Sequence, residues 1–328
     1  MASSDSTSVW RLATFNLESL DERSSDPAAF EARIAALRPM LAAINADVLC
    51  LQEVNAQGHG GRKPRKFSAL DRLLAQTIYA DFHRAHSVNP KSGKPADVHN
   101  LVTLSRWPIA SHSQLHHTHV PVWTMPALPP SQVSHEIRFD RPVLVTDIAA
   151  PFGPLHVFNL HLRAPRASLK RQTMRQAGNA EWAESFHVAA LKRQGQALEI
   201  RVAIDRLLTS NRAELIAVCG DLNAEAYETP ARLLRGTPDE GDDTLASGQL
   251  KSLDEHLPAA RRFSVVHDGR KVMLDHIFVS PALARSFVSI SALNERLQDE
   301  ARVEAPVTGS LHAPVVAEFG RDGSPRPL

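Results

Sequence analysis

The sequence predicts an α/β (α+β) fold in which two largely antiparallel sheets form a sandwich with helices outside. Three observations carry this expectation. Apolar segments of strand length recur along the whole chain, they come both in groups and alternating with segments of helical periodicity, and neither a solenoid-length repeat nor a low-complexity linker divides them. A doubly wound parallel sheet is the competing architecture. The simplest organisation is one domain over residues 9–320, between a disordered tail at 1–8 and a C-terminal tail at 321–328.

The elements follow in order. Residues 9–16 (VWRLATFN) read as a strand. Residues 28–44 place Ile34, Leu37, Leu41 and Ile44 on one face of a helix. DVLCLQEV is the next strand, and residues 67–78 predict a second helix. Strands at LVTLSR, PVLVTDIA and LHVFNLHL are separated by turn-rich or proline-rich stretches. Residues 178–208 are rich in Ala, Leu, Gln, Glu, Lys and Arg and lack proline, which predicts a long helix despite Gly195. LIAVCGDLN then runs five apolar residues into a polar tip, and MLDHIFVS and APVVAEF repeat the pattern near the end of the chain.

Composition narrows the function. A chain of 328 residues buries roughly three quarters of its unfolded surface and needs no disulfide staples. Cys50 and Cys219, the only two cysteines, lie in apolar runs without CxxC spacing, as inert buried thiols of a reducing compartment do. No apolar stretch reaches the roughly 20 residues of a membrane span. The first residues have neither the basic nor the apolar region of a secretory signal, so a cytoplasmic location is the expectation. A formal net charge of +1 gives no global field to hold a polyanion, so any anion site must be local.

Polar residues gather at strand tips. At or near an end lie Asn16 in ATFNL, Glu53 in LCLQEV, His161 in FNLHL, Asp221 and Asn223 in CGDLN and Asp275 in LDHIF, and His312 precedes APVVAEF. Singly each has a structural reading: a turn residue for Asn16, a loop cap for Glu53, an Asx-turn for Asp221 with Asn223, satisfied strand histidines for His161 and His312, and an ion pair of Asp275 with His276. As a set they suit hydrolysis of a phosphate ester, which needs a hard cation, a base for water and donors for developing charge. Glu53 suits a metal such as Mg²⁺, which few carboxylates hold. Asp221 suits water activation, Asn223 falls on the same side of the tip, His161 and His312 suit contacts to phosphate oxygens or the leaving group, and Asp275 suits orienting a histidine.

The segments TFNL, LQEV, LSRWPI, FNLHL, GDLNA, LDHIFVS and SLHAPVVAEF, in this order over residues 14–319, resemble the endonuclease/exonuclease/phosphatase superfamily, the fold of deoxyribonuclease I and exonuclease III. The resemblance implies a four-layer sandwich and a divalent-metal-dependent phosphoric ester hydrolase, a phosphodiesterase, nuclease or phosphatase, using Mg²⁺ or Mn²⁺. Carried over, Glu53 is the metal ligand with Asn16 beside metal or phosphate. His161, Asp221, Asn223, Asp275 and His312 are catalytic, and His161, Asn223, His312 and Asn16 also bind the substrate phosphate. One departure stands out. The family usually shows Ser-Asp-His before its last strand, whereas this chain has Ser310, Leu311 and His312. That substitution motivates an alternative, a phosphate-ligand-binding module of the same fold with impaired hydrolysis.

Other features carry less. GHGGRKPRK at 58–66 offers Arg62, Lys63, Arg65 and Lys66 to a phosphate backbone but lacks the ending of a P-loop, and reads as a solvated loop. Eight of the 16 histidines fall between His83 and His135 at no zinc-ligand spacing, and read as surface or rim histidines. Arg106 and Arg163 are candidate phosphate contacts or surface ion-pair partners, and Trp123 and Met125 an apolar lip or a buried patch. The expected partner is a phosphate-ester substrate, nucleic acid being one candidate, acted on by a monomer.

Overall fold

Strand β1 (Val9–Leu20) sets the layering. Successive side chains of a strand point to opposite faces. Trp10 and Leu12 therefore enter one apolar core while Ala13, Phe15 and Leu17 enter another. The computed structural model describes residues 9–22, 26–58, 65–129, 133–168, 178–236, 248–303 and 307–320, and the expected tails lie outside them. After β1 come α1 (Pro27–Ile44), β2 (Val48–Val54), α2 (Ser68–Leu74), β3 (His83–His86), β4 (Asn100–Ser105), β5 (Ile109–Leu115), β6 (Trp123–Met125) and β7 (His135–Ile137). Then follow β8 (Val143–Ala150), β9 (Gly153–His161), α3 (Asn179–Ser210), β10 (Leu215–Asp221), α4 (Thr229–Arg235), β11 (Lys251–Ser252), β12 (Val265–His267) and β13 (Arg270–Val272). The last are β14 (Asp275–Val279), α5 (Pro281–Ala284), β15 (Phe287–Ala292) and β16 (Val315–Gly320).

One six-stranded sheet has the order β15-β16-β1-β2-β4-β3 and the other β11-β14-β10-β9-β8-β5, with β6–β7 and β12–β13 as separate hairpins. Among the described residues each large sheet has one parallel pair, β1 with β2 and β9 with β10, and its other neighbours are antiparallel. The sandwich is thus the observed architecture, and the doubly wound parallel sheet is not. Three apolar layers separate four layers of structure. Phe15, Leu49 and Leu51 meet Leu37 and Leu41 of α1; Leu12, Val48, Val157, Ala217, Ile277 and Phe319 fill the space between the sheets; Phe158, Leu160 and Val218 meet Ile200 and Ile204 of α3. Cys50 and Cys219 are free thiols buried in the inter-sheet layer. No helix among the described residues is long and apolar enough to cross a membrane.

A polar bridge crosses this mainly apolar middle layer. Gln52 Nε2 donates to Asn159 Oδ1 at 2.8 Å, Thr14 Oγ1 donates to Gln52 Oε1 at 3.2 Å, and Asn159 Nδ2 donates to Val102 O at 3.0 Å. Thr14, Gln52 and Asn159 are fully buried, so each unmade bond would cost about 1–3 kcal/mol.

Two glycines are fixed by close approach. A Cβ on Gly220, whose φ is +146°, would fall 1.9 Å from Leu160 O across the β9–β10 pair. A Cβ on Gly195 would fall 2.8 Å from Phe139 and 3.3 Å from Trp123, so the gap in α3 admits the β6–β7 hairpin segment that the helix faces. The long helix predicted over 178–208 forms with Gly195 inside it. The helix predicted over 67–78 stops at Leu74, because the chain turns there to bury Tyr79, whose hydroxyl accepts from Ala46 N at 2.8 Å.

Candidate active site

The strand alternation that builds the inter-sheet core also builds the site at its mouth. On β1, Asn16 continues the Trp10–Leu12–Thr14 face; on β9, His161 continues Leu155–Val157–Asn159; on β10, Asp221 continues Ala217–Cys219. Parallel pairing brings the C-terminal ends of β9 and β10 to one edge, with His161 opposite Asp221. Strand β14 runs antiparallel to β10, so its first residue, Asp275, lies opposite Asp221. Glu53 breaks the alternation, since its neighbours Leu49 and Leu51 face the helices. A register shift between Leu51 and Val54 and a left-handed backbone at Glu53 (φ +58°) turn its carboxylate into the site.

The side chains converge from both sheets. Asn16 Nδ2 donates to Asp221 Oδ2 at 3.1 Å and to Glu53 Oε1 at 3.3 Å, and Ser19 Oγ donates to Glu53 Oε2 at 2.9 Å. His161 Nε2 lies 3.3 Å from Asp221 Oδ2 and 3.8 Å from Glu53 Oε1. His312 Nδ1 donates to Asp275 Oδ2 at 2.7 Å, leaving Nε2 4.0 Å from Asp221 Oδ2. Ser310 anchors this end, its hydroxyl donating to Asn16 O at 2.7 Å and accepting from His312 N at 3.0 Å. Asn223 N donates to Asp221 Oδ1 at 2.8 Å and its side chain to Leu162 O at 3.1 Å, so Asn223 braces the tip of β10.

Burial and charge divide the protons unequally. Burial, reinforced by Asp275 and opposed by His312, pushes the Asp221 carboxyl up to about 7. Burial alone would lower His312, but the Asp275 carboxylate, then Asp221 and Glu18, outweigh it and raise the imidazole to about 10. Burial and the Arg141 guanidinium hold His161 well below the ordinary histidine value, hence neutral. Burial would raise Glu53, but His99, His161 and the Ser19 hydroxyl more than offset it and keep the carboxylate ionised. Two groups of ligand-type atoms result, Glu53 with His99 and His161, and Asp221 with Asp275 and His312, each within 4.8 Å. The first fits a divalent cation: an ionised carboxylate faces two rings, each with a buried Nδ1 that makes no hydrogen bond.

The family model described as endonuclease/exonuclease/phosphatase family matches residues 13–295. The chain belongs to this family. Its members are divalent-metal-dependent hydrolases of phosphoric esters. A search of curated proteins finds none that matches. Among solved structures, truncated TDP2 of Caenorhabditis elegans is 14% identical, with 95% of this chain and 97% of that one covered and a TM-score of 0.55. An AP endonuclease from Archaeoglobus fulgidus is 16% identical, with 94% and 99% covered and a TM-score of 0.52. An endonuclease/exonuclease/phosphatase protein from Bacteroides vulgatus is 16% identical, with 95% and 98% covered and a TM-score of 0.56. At these identities the likeness is one of fold, which is the deoxyribonuclease I-like sandwich the family shares.

All seven strand-tip residues expected for an endonuclease/exonuclease/phosphatase protein, Asn16, Glu53, His161, Asp221, Asn223, Asp275 and His312, lie in this cluster. The pairing of Asp275 with His276 does not occur. Alternation turns His276 to the opposite face of β14, where it meets Asp254 Oδ2 at 3.2 Å and Ala224 O at 2.9 Å. Four further residues reach the centre. His99 precedes Asn100, which pairs with Val54, so its Nδ1 lies 3.5 Å from Glu53 Oε2. Arg141 precedes β8, and its buried Nη1 makes no hydrogen bond while its charge acts on Glu53 and Asp221. Ser19 holds Glu53, and Glu18 lies near His312.

The lesser candidates lie elsewhere. Arg106 is tied to Asp47 at 2.7 Å and Arg65 to Asp97 at 2.6 Å, while Arg62 and Lys63 fall outside the described residues. Arg163 meets Asp140 at 3.3 Å. Trp123 is partly exposed on the β6–β7 hairpin beside α3. His117 stacks on Phe139, and His116 bonds to Phe139 O, so these are packing histidines.

Proposed function

We propose that the protein hydrolyses a phosphodiester at this centre, with Glu53, beside Asn16, holding a divalent cation. Bound there, the cation neutralises the phosphate oxygens that repel an incoming nucleophile. Asp221, half-ionised near neutral pH, takes the proton of the attacking water. Neutral His161 and the tip held by Asn223 orient the phosphate between the two sheets. His312, kept protonated by Asp275, donates to a phosphate oxygen and then to the leaving oxygen.

The observation that carries this reading is the placement of one carboxylate near 7 and one imidazolium near 10 about 4.0 Å apart beside an ionised Glu53. Groups whose surroundings push their proton affinities apart are the mark of an acid–base pair. Purified protein should hydrolyse bis(p-nitrophenyl) phosphate in Mg²⁺ or Mn²⁺, and Asp221→Ala should lower kcat by roughly 100- to 10,000-fold. Unchanged turnover in that variant would refute the assignment. The name of one structural neighbour, an AP endonuclease, makes nucleic acid the first substrate to try, and abasic DNA, single-stranded DNA, inositol phosphates and sphingomyelin assayed side by side decide the class.

Leu311 favours a second reading. Its side chain is 5% exposed and can neither ligate nor accept a proton, so the fold would keep phosphate binding while losing turnover. Calorimetric binding without hydrolysis under any metal supports that reading. A large gain in rate on Leu311→Asp would show that the absent carboxylate limits an otherwise working site.

A further inference from the structure

The centre holds more nitrogen than a magnesium site uses. Mg²⁺ prefers oxygen donors in near-ideal octahedral geometry and keeps several waters. Here the carboxylate of Glu53 meets two imidazoles. Nδ1 of His99 lies 3.5 Å from Oε2, and Nε2 of His161 lies 3.8 Å from Oε1. The two rings stand edge to face with centroids 6.0 Å apart.

One ligand atom from each of Glu53, His99 and His161 lies within 4.8 Å of the other two, close enough for a single ion to draw all three together. The buried Nδ1 of His99 makes no hydrogen bond, and Nε2 of His161 lies between two carboxylates, 3.3 Å from Asp221 Oδ2 and 3.8 Å from Glu53 Oε1. The neighbouring group contrasts with this, because Nδ1 of His312 is committed to Asp275 at 2.7 Å and that pair already has its proton.

We propose that Glu53, His99 and His161 form a mixed carboxylate and imidazole site that takes a borderline first-row dication, Zn²⁺ or Co²⁺ in type, in preference to Mg²⁺. Imidazole suits such ions, whereas carboxylate and water suit Mg²⁺. The proposal rests on the reading that Glu53 marks the metal centre. His99 is then a ligand contributed by the residue before β4, on the sheet that carries Glu53, while His161 comes from the facing sheet and acts on the phosphate through the ion rather than by direct contact.

The test reads binding, not turnover. Metal-free full-length protein is titrated with Co²⁺, following the visible ligand-field bands, with Zn²⁺ by competition and with Mg²⁺ by calorimetry. Zn²⁺ and Co²⁺ should bind at least about 100-fold tighter than Mg²⁺. His99→Asn, which tolerates the left-handed backbone at φ +59°, should weaken Co²⁺ and Zn²⁺ by about 10- to 100-fold, alter the cobalt spectrum and leave Mg²⁺ affinity unchanged. His99→Gly, which relaxes that backbone, should do the same, so a folding defect in one variant does not decide the matter. Equal affinity for Mg²⁺ and Zn²⁺, or an unaltered cobalt spectrum in both His99 variants while Glu53→Gln abolishes binding, overturns the nitrogen site and leaves the metal centre standing. Unchanged binding of every ion in Glu53→Gln overturns both.

Discussion

Replacing Asp275 by Asn removes a charge while keeping an acceptor for His312 Nδ1. His312 is raised from 6.5 to about 10, and the Asp275 carboxylate at 2.7 Å is the largest of the effects that raise it, against burial that lowers it. The gap corresponds to about 5 kcal/mol at 1.36 kcal/mol per tenfold. Loss of one close opposite charge shifts a titration by roughly 1–3 pH units. Because the protonated ring is the active form, the wild-type rate should hold up to high pH and fall only above about 10. In Asp275→Asn the alkaline limb should move down by those same roughly 1–3 pH units, and the rate measured above the displaced limb should drop roughly tenfold per pH unit. The assay is kcat/KM against pH, run beside an NMR titration of the His312 ring, which needs no turnover. An alkaline limb and a His312 titration that both stay in place would refute the Asp275–His312 argument.

Other consequences are open to measurement. Since Asp221 works as the ionised base and is raised to about 7, kcat/KM should rise with pH up to about 7 and then level, and a profile already flat at pH 5 would count against that role. The buried pair of His276 and Asp254 gives a stability prediction. The raised His276 stabilises fully below 6.5 and loses this as pH rises through its folded value, whereas the lowered Asp254 stabilises above 3.8 and loses it as pH falls. Asp254→Asn should therefore cost about 3–5 kcal/mol in urea unfolding near pH 5.5, and the cost should shrink as pH rises through the folded titration of His276, followed in parallel by NMR; a gap unchanged across that titration would contradict it. Gly220→Ala forces a Cβ to 1.9 Å from Leu160 O and should prevent soluble folding, whereas Gly195→Ala meets a ring edge at 2.8 Å and should cost about 1–3 kcal/mol by thermal melt.

The strand tips were legible because each ends an apolar run, and alternation then dictates the face. Asn16, His161, Asp221 and Asp275 all follow the parity of the inter-sheet core, so their convergence needed only two sheets laid face to face. Glu53 was found by motif, since parity alone sends it to the helices and a left-handed residue redirects it. His99 and Arg141 were missed although His99 immediately precedes β4 and Arg141 lies two residues before β8, much as His312 lies three before β16. Local sequence hid His99 among seven other histidines between 83 and 135; what selects it is the β2–β4 register, which joins residues 46 positions apart. Strands β3, β5 and β15 escaped notice because edge strands such as HRAH and IASHSQL carry polar side chains on exposed positions.

The Thr14–Gln52–Asn159 bridge works as a latch. Gln52 is the residue before Glu53, and Asn159 lies two before His161, so the bond that fastens one sheet to the other comes just before the jaws of the centre along both strands. Opening or sliding the jaws would strand three interior amide and hydroxyl groups at once. Adaptation to different molecules therefore falls to the rim, where lengthening or reshaping a loop leaves the gap between the jaws untouched.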